Sequence, residues 1–172
     1  EYVTINLGTK GGGGLTKVGK NCLLMIGTHI AHDCIIGDNV IFANHSTLAG
    51  HVIVENNVVV GALSAIHQFS RIGEGAMIGG MSGVTADVIP FSTVMGNRAK
   101  LSGINLVGLR RNMFQRDEIN ELRKVFKYIF FNKKNTFEAR IKEIKKKKLK
   151  FYTIRKILSF HQAETRRSFI MP

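Results

Sequence analysis

The sequence holds no apolar run long enough to cross a membrane, and it opens on Glu-Tyr-Val-Thr rather than on a basic and then apolar leader. A spanning helix and a secretory signal are therefore not expected, since a span needs about 20 consecutive apolar residues. Cysteine is scarce: Cys22 and Cys34 are the two in 172 residues. They are expected to be buried free thiols on different faces of the fold, which suits a reducing cytoplasm. Acidic side chains are scarce in one part of the chain. Residues 1–99 carry five basic and six acidic side chains, a net of −1, whereas residues 100–172 carry twenty and six, a net of +14. Such a block points to an acidic partner or to a solvated basic surface. With no aromatic-interleaved basic strand or reading motif, nucleic acid is not the expected partner.

What the chain has in abundance is a period of six. An aliphatic or Phe side chain recurs without a miss at Val18, Leu24, Ile30, Ile36, Phe42, Leu48, Val54, Val60, Ile66, Ile72, Ile78 and Val84. Two residues before each stands a small or β-branched one, such as Cys22, Thr28, Ser46 or Ala76. Neither the 3.6-residue helical repeat nor strand alternation produces this pattern. A sixfold repeat marks a parallel β-helix in which three hexads close one triangular coil of eighteen residues. The twelve hexads make four coils, with inward side chains stacked at about 4.8 Å.

Residues 10–14, Lys-Gly-Gly-Gly-Gly, interrupt the repeat. Four glycines cannot fill a core layer, so a loop thrown out of the coil is expected, either a tolerated insertion or an edge to a substrate site. Because repeat proteins need polar end caps, the mid-repeat opening leads one to expect further coils ahead of Glu1. After Asp87-Val88-Ile89-Pro90 the period ends, and 94–97 reads as a last irregular rung. From Ser102 the spacing turns helical. Ile119, Leu122, Val125, Phe126, Ile129 and Phe130 share one face, with Asp117 and Glu118 in the first turn where the helix dipole favours them. A second helix is expected after Asn135, ending in the lysines of 145–148, and a third from Phe151 to about Glu164. The expected organisation is a parallel β-helix over 1–99 and a basic α-helical domain over 100–172.

Subtracting eighteen places His51 over Asp33, Gly50 over His32, and His67 over Ala49 and Ala31. His32, Asp33, His51, His67 and Gln68 thus crowd one edge of the prism, with His29 just upstream. A histidine there could serve as a general base if a carboxylate or carbonyl fixes its tautomer. It could instead ligate zinc, given two or three converging partners. No cysteine is placed to complete a soft site, so the base reading is favoured and no metal or other cofactor is expected.

The runs Thr28-His29-Ile30-Ala31-His32-Asp33-Cys34, Leu48-Ala49-Gly50-His51-Val52, Ile66-His67-Gln68-Phe69 and Gly103-Ile104-Asn105-Leu106-Val107-Gly108-Leu109-Arg110-Arg111 resemble those of the acyl-ACP:UDP-N-acetylglucosamine O-acyltransferases. Thr4-Ile5-Asn6, the glycine loop and Leu15-Thr16 match as well. The resemblance implies a left-handed parallel β-helix, a hand that ordinary crossover preference opposes. It also implies a homotrimer with active sites between subunits, acting in the cytoplasm on the first step of lipid A synthesis. The partners it implies are an acidic acyl carrier protein as donor and UDP-N-acetylglucosamine as acceptor, with no membrane insertion. His32 matches the catalytic base, Gly50 the oxyanion donor, and Asp33, His29, His51 and His67 groups that orient the base or contact sugar and donor. Gln68, Asn105 and Arg111 match nucleotide contacts, and Gly80, with Met77 nearby, matches the gauge of acyl-chain length. Val107 and Asn112 depart from the family pattern, standing where a carboxylate and a second arginine are common. The alternatives are the N-acyltransferase of the same pathway, a γ-carbonic-anhydrase-like zinc enzyme, and an inactive truncated scaffold.

Overall fold

In the computed structural model, which describes all residues except Lys133, Lys148 and Glu164, every hexad of the repeat forms one two-residue strand. Strand β1 (Thr4–Ile5) precedes the glycine run, and β2 (Lys17–Val18), β3 (Leu23–Leu24), β4 (His29–Ile30), β5 (Ile35–Ile36), β6 (Ile41–Phe42) and β7 (Thr47–Leu48) follow it. The repeat continues through β8 (Ile53–Val54), β9 (Val59–Val60), β10 (Ala65–Ile66), β11 (Arg71–Ile72), β12 (Met77–Ile78) and β13 (Gly83–Val84). Three parallel sheets result, ordered β1-β4-β7-β10-β13, β2-β5-β8-β11 and β3-β6-β9-β12, the last extended by β14 (Ser92–Met95) and β15 (Lys100–Ile104). The register, His29 on Thr47 and Thr47 on Ala65, is the eighteen-residue step read from the sequence.

The packing explains why two inward positions per hexad are constrained. Ile30, Phe42, Leu48, Val60, Ile72 and Ile78 are fully buried, whereas Val18 and Leu24 of the first coil are only partly covered. Each fully buried aliphatic contributes about 1.5–3 kcal/mol. The small inward residues sit at the corners, where several reach a carbonyl fifteen residues on: Cys34 Sγ to Ala49 O at 3.2 Å and Ser64 Oγ to Gly79 O at 2.9 Å. Cys34 is buried, and burial pushes its thiol above the ordinary range; Cys22, expected to be buried too, is half-exposed because it lies on the less covered first coil. Each corner is turned by a residue in the left-handed region, in columns such as Asn21, Asn39, Asn57 and Asp33, His51, Phe69. Asn and Asp tolerate that conformation better than other side chains.

The glycine run lies outside the strand ladder. β1 pairs with β4 at Thr4 and His29, an offset seven residues longer than one coil. The excess folds into a 3-10 turn, Lys10–Gly12, whose Gly12 and Gly14 N–H groups both donate to Thr9 O at 3.0 and 2.9 Å. Gly13 and Gly14 take φ of 100° and 76°, which a side chain would resist. Thr9 and Gly12 hold one side of the turn against Asp33, while residues 10, 11, 13 and 14 are exposed.

Beyond β15 come α1 (Leu106–Arg111), α2 (Arg116–Phe131), α3 (Phe137–Lys145) and α4 (Tyr152–Gln162). The strand character of β15 runs past Ser102, where the sequence pattern had suggested a helix, because it pairs antiparallel with β14. The six apolar residues assigned to one face of α2 are its buried residues. Glu118 of α2 accepts the Thr153 N–H at 2.9 Å, capping the start of α4. Lysines 145–147 lie at and just beyond the end of α3, and the last of that run, Lys148, lies outside the described residues, as does Glu164. Helix α4 is tied to the β-helix by Lys156, 3.1 Å from Glu55, and by the Tyr152 hydroxyl donating to Glu74 at 2.6 Å. No described helix is long and apolar enough to cross a membrane.

Candidate functional site

The corner between the sheet of β4 and the sheet of β5 stacks residues 31–34, 49–52 and 67–70 of successive coils. Asp33, His51 and Phe69 turn it with φ of 59°, 61° and 62°. The Asp33 carboxylate is buried, its side chain 1% exposed, while the neighbouring His32 side chain is 42% exposed. Asp33 accepts three hydrogen bonds: the Thr9 N–H on Oδ1 at 2.9 Å, and on Oδ2 the Thr9 hydroxyl at 2.7 Å and His32 Nδ1 at 2.8 Å. The Thr9 hydroxyl bond is the main reason its carboxyl is lowered to about 2; burial opposes that shift, and the bonds from His32 and the Thr9 amide and the charge of His51 add to it. An ionised carboxylate only accepts, so the His32 proton must sit on Nδ1, leaving Nε2 with a lone pair. No described protein hydrogen bond uses that nitrogen. The pair is set up to take a proton at Nε2 and to stabilise the resulting imidazolium.

Gly50 lies directly against this ring, as the column count indicated. A Cβ at residue 50 would sit 2.5 Å from His32 Cε1 and 2.6 Å from Nε2, so only glycine permits the approach. Among the described residues the Gly50 N–H has no acceptor, whereas the flanking Ala49 and His51 amides donate to Ile66 O and His32 O. His51 packs edge-on to His32 at 5.1 Å and stacks on Phe69 at 4.6 Å, with its Nε2 3.9 Å from Asp33 Oδ2.

Two arginines reach this edge from about a hundred residues away. The Arg167 guanidinium donates to His67 Nδ1 at 2.7 Å and to Gln68 O at 3.1 Å. Because arginine is always a donor, His67 Nδ1 accepts, and its proton lies on Nε2. Arg166 lies 4.7 Å over the Phe69 ring and, with Asp33, His51 and Ile53, lines a groove beside the dyad. Sequence reasoning missed Thr9, Arg166 and Arg167; the glycines after Thr9 were the signal for the first, and no local signal marks the other two. His29 stands apart on β4, its Nδ1 2.7 Å from the Thr4 hydroxyl.

The remaining expected residues lie on a different face. Met77, Asn105 and Arg111, with Asn39, Asn57, Val107 and Asn112, line a cavity of about 600 Å³ between the third sheet and α1. Asn105 caps α1, accepting the Gly108 N–H at 2.8 Å and donating to Gly75 O at 3.0 Å. Gly80 follows β12 at an exposed corner, where a Cβ would come within 3.3 Å of Ala62 O. That face is opposite the His32 corner of the triangular coil, so one chain does not bring Arg111 and His32 together.

His32, Asp33 and His51 could converge on a metal, their donor atoms lying within 4.8 Å of one another. The carboxylate, however, already meets three protein donors and holds His32 Nδ1. A zinc ion, which takes at least three protein ligands, would have to displace that network. The geometry suits a hydrogen-bonded acid–base pair better.

Residues 87–170 match the family model described as UDP N-acetylglucosamine O-acyltransferase, domain 2, and residues 15–50 match the bacterial transferase hexapeptide model of six repeats. The acyl-[acyl-carrier-protein]–UDP-N-acetylglucosamine O-acyltransferase of Paracoccus denitrificans is 45% identical over 172 residues, covering 100% of this chain and 64% of the relative. Its namesake from Aliarcobacter butzleri is 52% identical over 130 residues, 76% of this chain and 50% of the relative. Among solved structures, the UDP-N-acetylglucosamine acyltransferase from Campylobacter jejuni superposes with a TM-score of 0.92 at 40% identity, covering 100% of this chain and 66% of that one. The chain thus spans between half and about two thirds of the length of these relatives. With the coils, the helices and the sequence motifs all shared with these proteins, the chain belongs to the UDP-N-acetylglucosamine O-acyltransferase family.

Proposed function

We propose that this chain transfers a (3R)-3-hydroxyacyl group from acyl carrier protein to the 3-hydroxyl of UDP-N-acetylglucosamine, the opening step of lipid A synthesis in the cytoplasm. The observation that carries the reading is the His32–Asp33 pair with Gly50 against its ring. His32 Nε2 takes the proton of the sugar hydroxyl as its oxygen attacks the thioester carbonyl. The new C–O bond leaves a tetrahedral oxyanion, which the Gly50 N–H stabilises. Collapse breaks the C–S bond, and the departing thiolate receives the proton from the His32 imidazolium, which Asp33 has kept in place. His29, His51 and His67 are assigned to the sugar and donor, Gln68, Asn105 and Arg111 to the nucleotide, and Met77 and Gly80 to the acyl chain.

Two half-sites on opposite sides of one prism argue for a cyclic homotrimer in which the His32 corner of one copy faces the Arg111 cavity of the next. The positive exterior of the helical domain suits an acidic carrier protein; a cleft floored by Ile104, Phe126 and Phe131 is rimmed by Arg123, Lys124 and Lys127. The test is acyl transfer by this chain and by His32→Ala, with sedimentation to report assembly. His32→Ala should lose about 10²–10⁴-fold in kcat with its sedimentation unchanged. Retained turnover would overturn the base assignment, and no turnover by the parent chain would overturn the reading for this chain.

A further inference from the structure

The glycine-rich turn takes no part in the proton transfer, yet Thr9, the residue that precedes it, makes two of the three hydrogen bonds to Asp33. We propose that Thr9 is a positioning residue of the site, clamping the Asp33 carboxylate so that His32, and not His51, receives it and keeps its proton on Nδ1. The kinetic part of this inference rests on the acyltransferase reading; the structural part does not.

Three observations converge on it. Asp33 Oδ2 lies 2.8 Å from His32 Nδ1 and 3.9 Å from His51 Nε2, so the two imidazoles compete for one oxygen. The Thr9 N–H on Oδ1 and the Thr9 hydroxyl on Oδ2 fix the plane of the carboxylate, and a modest rotation would hand Oδ2 to His51. Thr9 is itself held, its carbonyl accepting the Gly12 and Gly14 amides. The turn, moreover, is moulded to the carboxylate: a Cβ at residue 12 would lie 2.2 Å from Asp33 Cγ and Oδ2. A seven-residue insertion that did nothing at this corner would have no reason to present a glycine there. The charged and titratable groups facing Asp33 are His32 on its own corner, His51 from the next coil, Cys34 behind it, and Arg166 across the groove from the C-terminal arm. Of all contributions to the Asp33 carboxyl, the Thr9 hydroxyl is the largest. Once released from Asp33, His32 would exchange its proton between both nitrogens, and the fraction with a free Nε2 lone pair would fall.

The experiment compares the chain with Thr9→Val, Thr9→Ser and Gly12→Ala. Imidazole nitrogen NMR reads the His32 tautomer, carboxyl-carbon NMR reads the Asp33 midpoint, and initial rates are measured with (3R)-3-hydroxyacyl carrier protein and UDP-N-acetylglucosamine. Thr9→Val should average the His32 nitrogen signals and raise the Asp33 midpoint from about 2 toward 3.8. It should lower kcat by about 10- to 100-fold, the range for losing the outer partner of a metal-bound histidine, with KM for the nucleotide unchanged because Thr9 is not among the residues lining the Arg111 cavity. Thr9→Ser should restore all three. Gly12→Ala should reproduce the spectral shifts with the hydroxyl intact, by pushing the carboxylate aside. A Thr9→Val protein with the parent tautomer and midpoint would overturn the proposal. If the parent chain turns over no substrate, the rates count against the acyltransferase reading and the spectra alone judge Thr9.

Discussion

Asp33 shows how much one side chain can be asked to do in this fold. It turns a corner in the left-handed region, fills a buried place, and stays ionised because Thr9 and His32 donate to it. The ionisation links it to stability. Its carboxyl is lowered to about 2 in the folded chain from 3.8, so the stabilising contribution is fully present above 3.8 and is lost as pH falls through about 2. The melting temperature of the parent should therefore exceed that of Asp33→Asn by a margin that is constant near neutrality and shrinks across this acid window. Thermal melts followed by circular dichroism at stepped pH would measure it, and a margin that failed to shrink would show that Asp33 stabilises by shape alone.

The C-terminal arm, residues 165–171, is the element on which the histidine edge leans. It runs beside Asp87, whose N–H donates to Ser168 O at 2.8 Å and whose carbonyl accepts the Ile170 N–H at 2.9 Å. The Asp87 side chain is fully buried and takes the Arg71 Nε at 2.7 Å and the Thr165 hydroxyl at 2.6 Å. Arg71 in turn lies 4.3 Å over the Phe160 ring and donates to Phe160 O at 3.2 Å, joining the last coil to α4. Removing one partner of a buried ion pair leaves the other uncompensated, at a cost of about 3–5 kcal/mol. Arg71→Met and Asp87→Asn should each lower the unfolding free energy by that order in urea melts. Both should also speed proteolysis near residue 166, because the arm loses its anchor, whereas Lys124→Ala on the exposed face of α2 should do neither.

At the scale of the whole molecule, the separation of the His32 corner from the Arg111 cavity makes a strong demand. If each working site takes one half from each of two copies, two dead variants should rescue one another. His32→Ala and Arg111→Ala, inactive when purified separately, should regain about a quarter of the parent activity when co-assembled at equal amounts, since one site in four would then pair two intact halves. Acyl transfer by the co-expressed mixture, against a blend of separately assembled proteins, would measure it; equal activity of the two preparations would place the complete site within one copy.

The sixfold period was enough to read the stacked coils, the buried column from Ile30 to Val84, and the meeting of His32 with Gly50. Those features repeat by a fixed translation, so a subtraction of eighteen locates neighbours without coordinates. The face of α2 was legible for a similar reason, its apolar spacing being local. Thr9 could not be placed this way, because the seven-residue excess breaks the count between β1 and β4. Nor could Arg167, whose contact with His67 spans a hundred residues and depends on how α4 packs and where the buried Arg71–Asp87 pair holds the arm. Repetition along the chain carries its own geometry within the sequence, whereas a contact between two unlike elements exists only once both have packed, and it is such contacts that orient the imidazoles of this site.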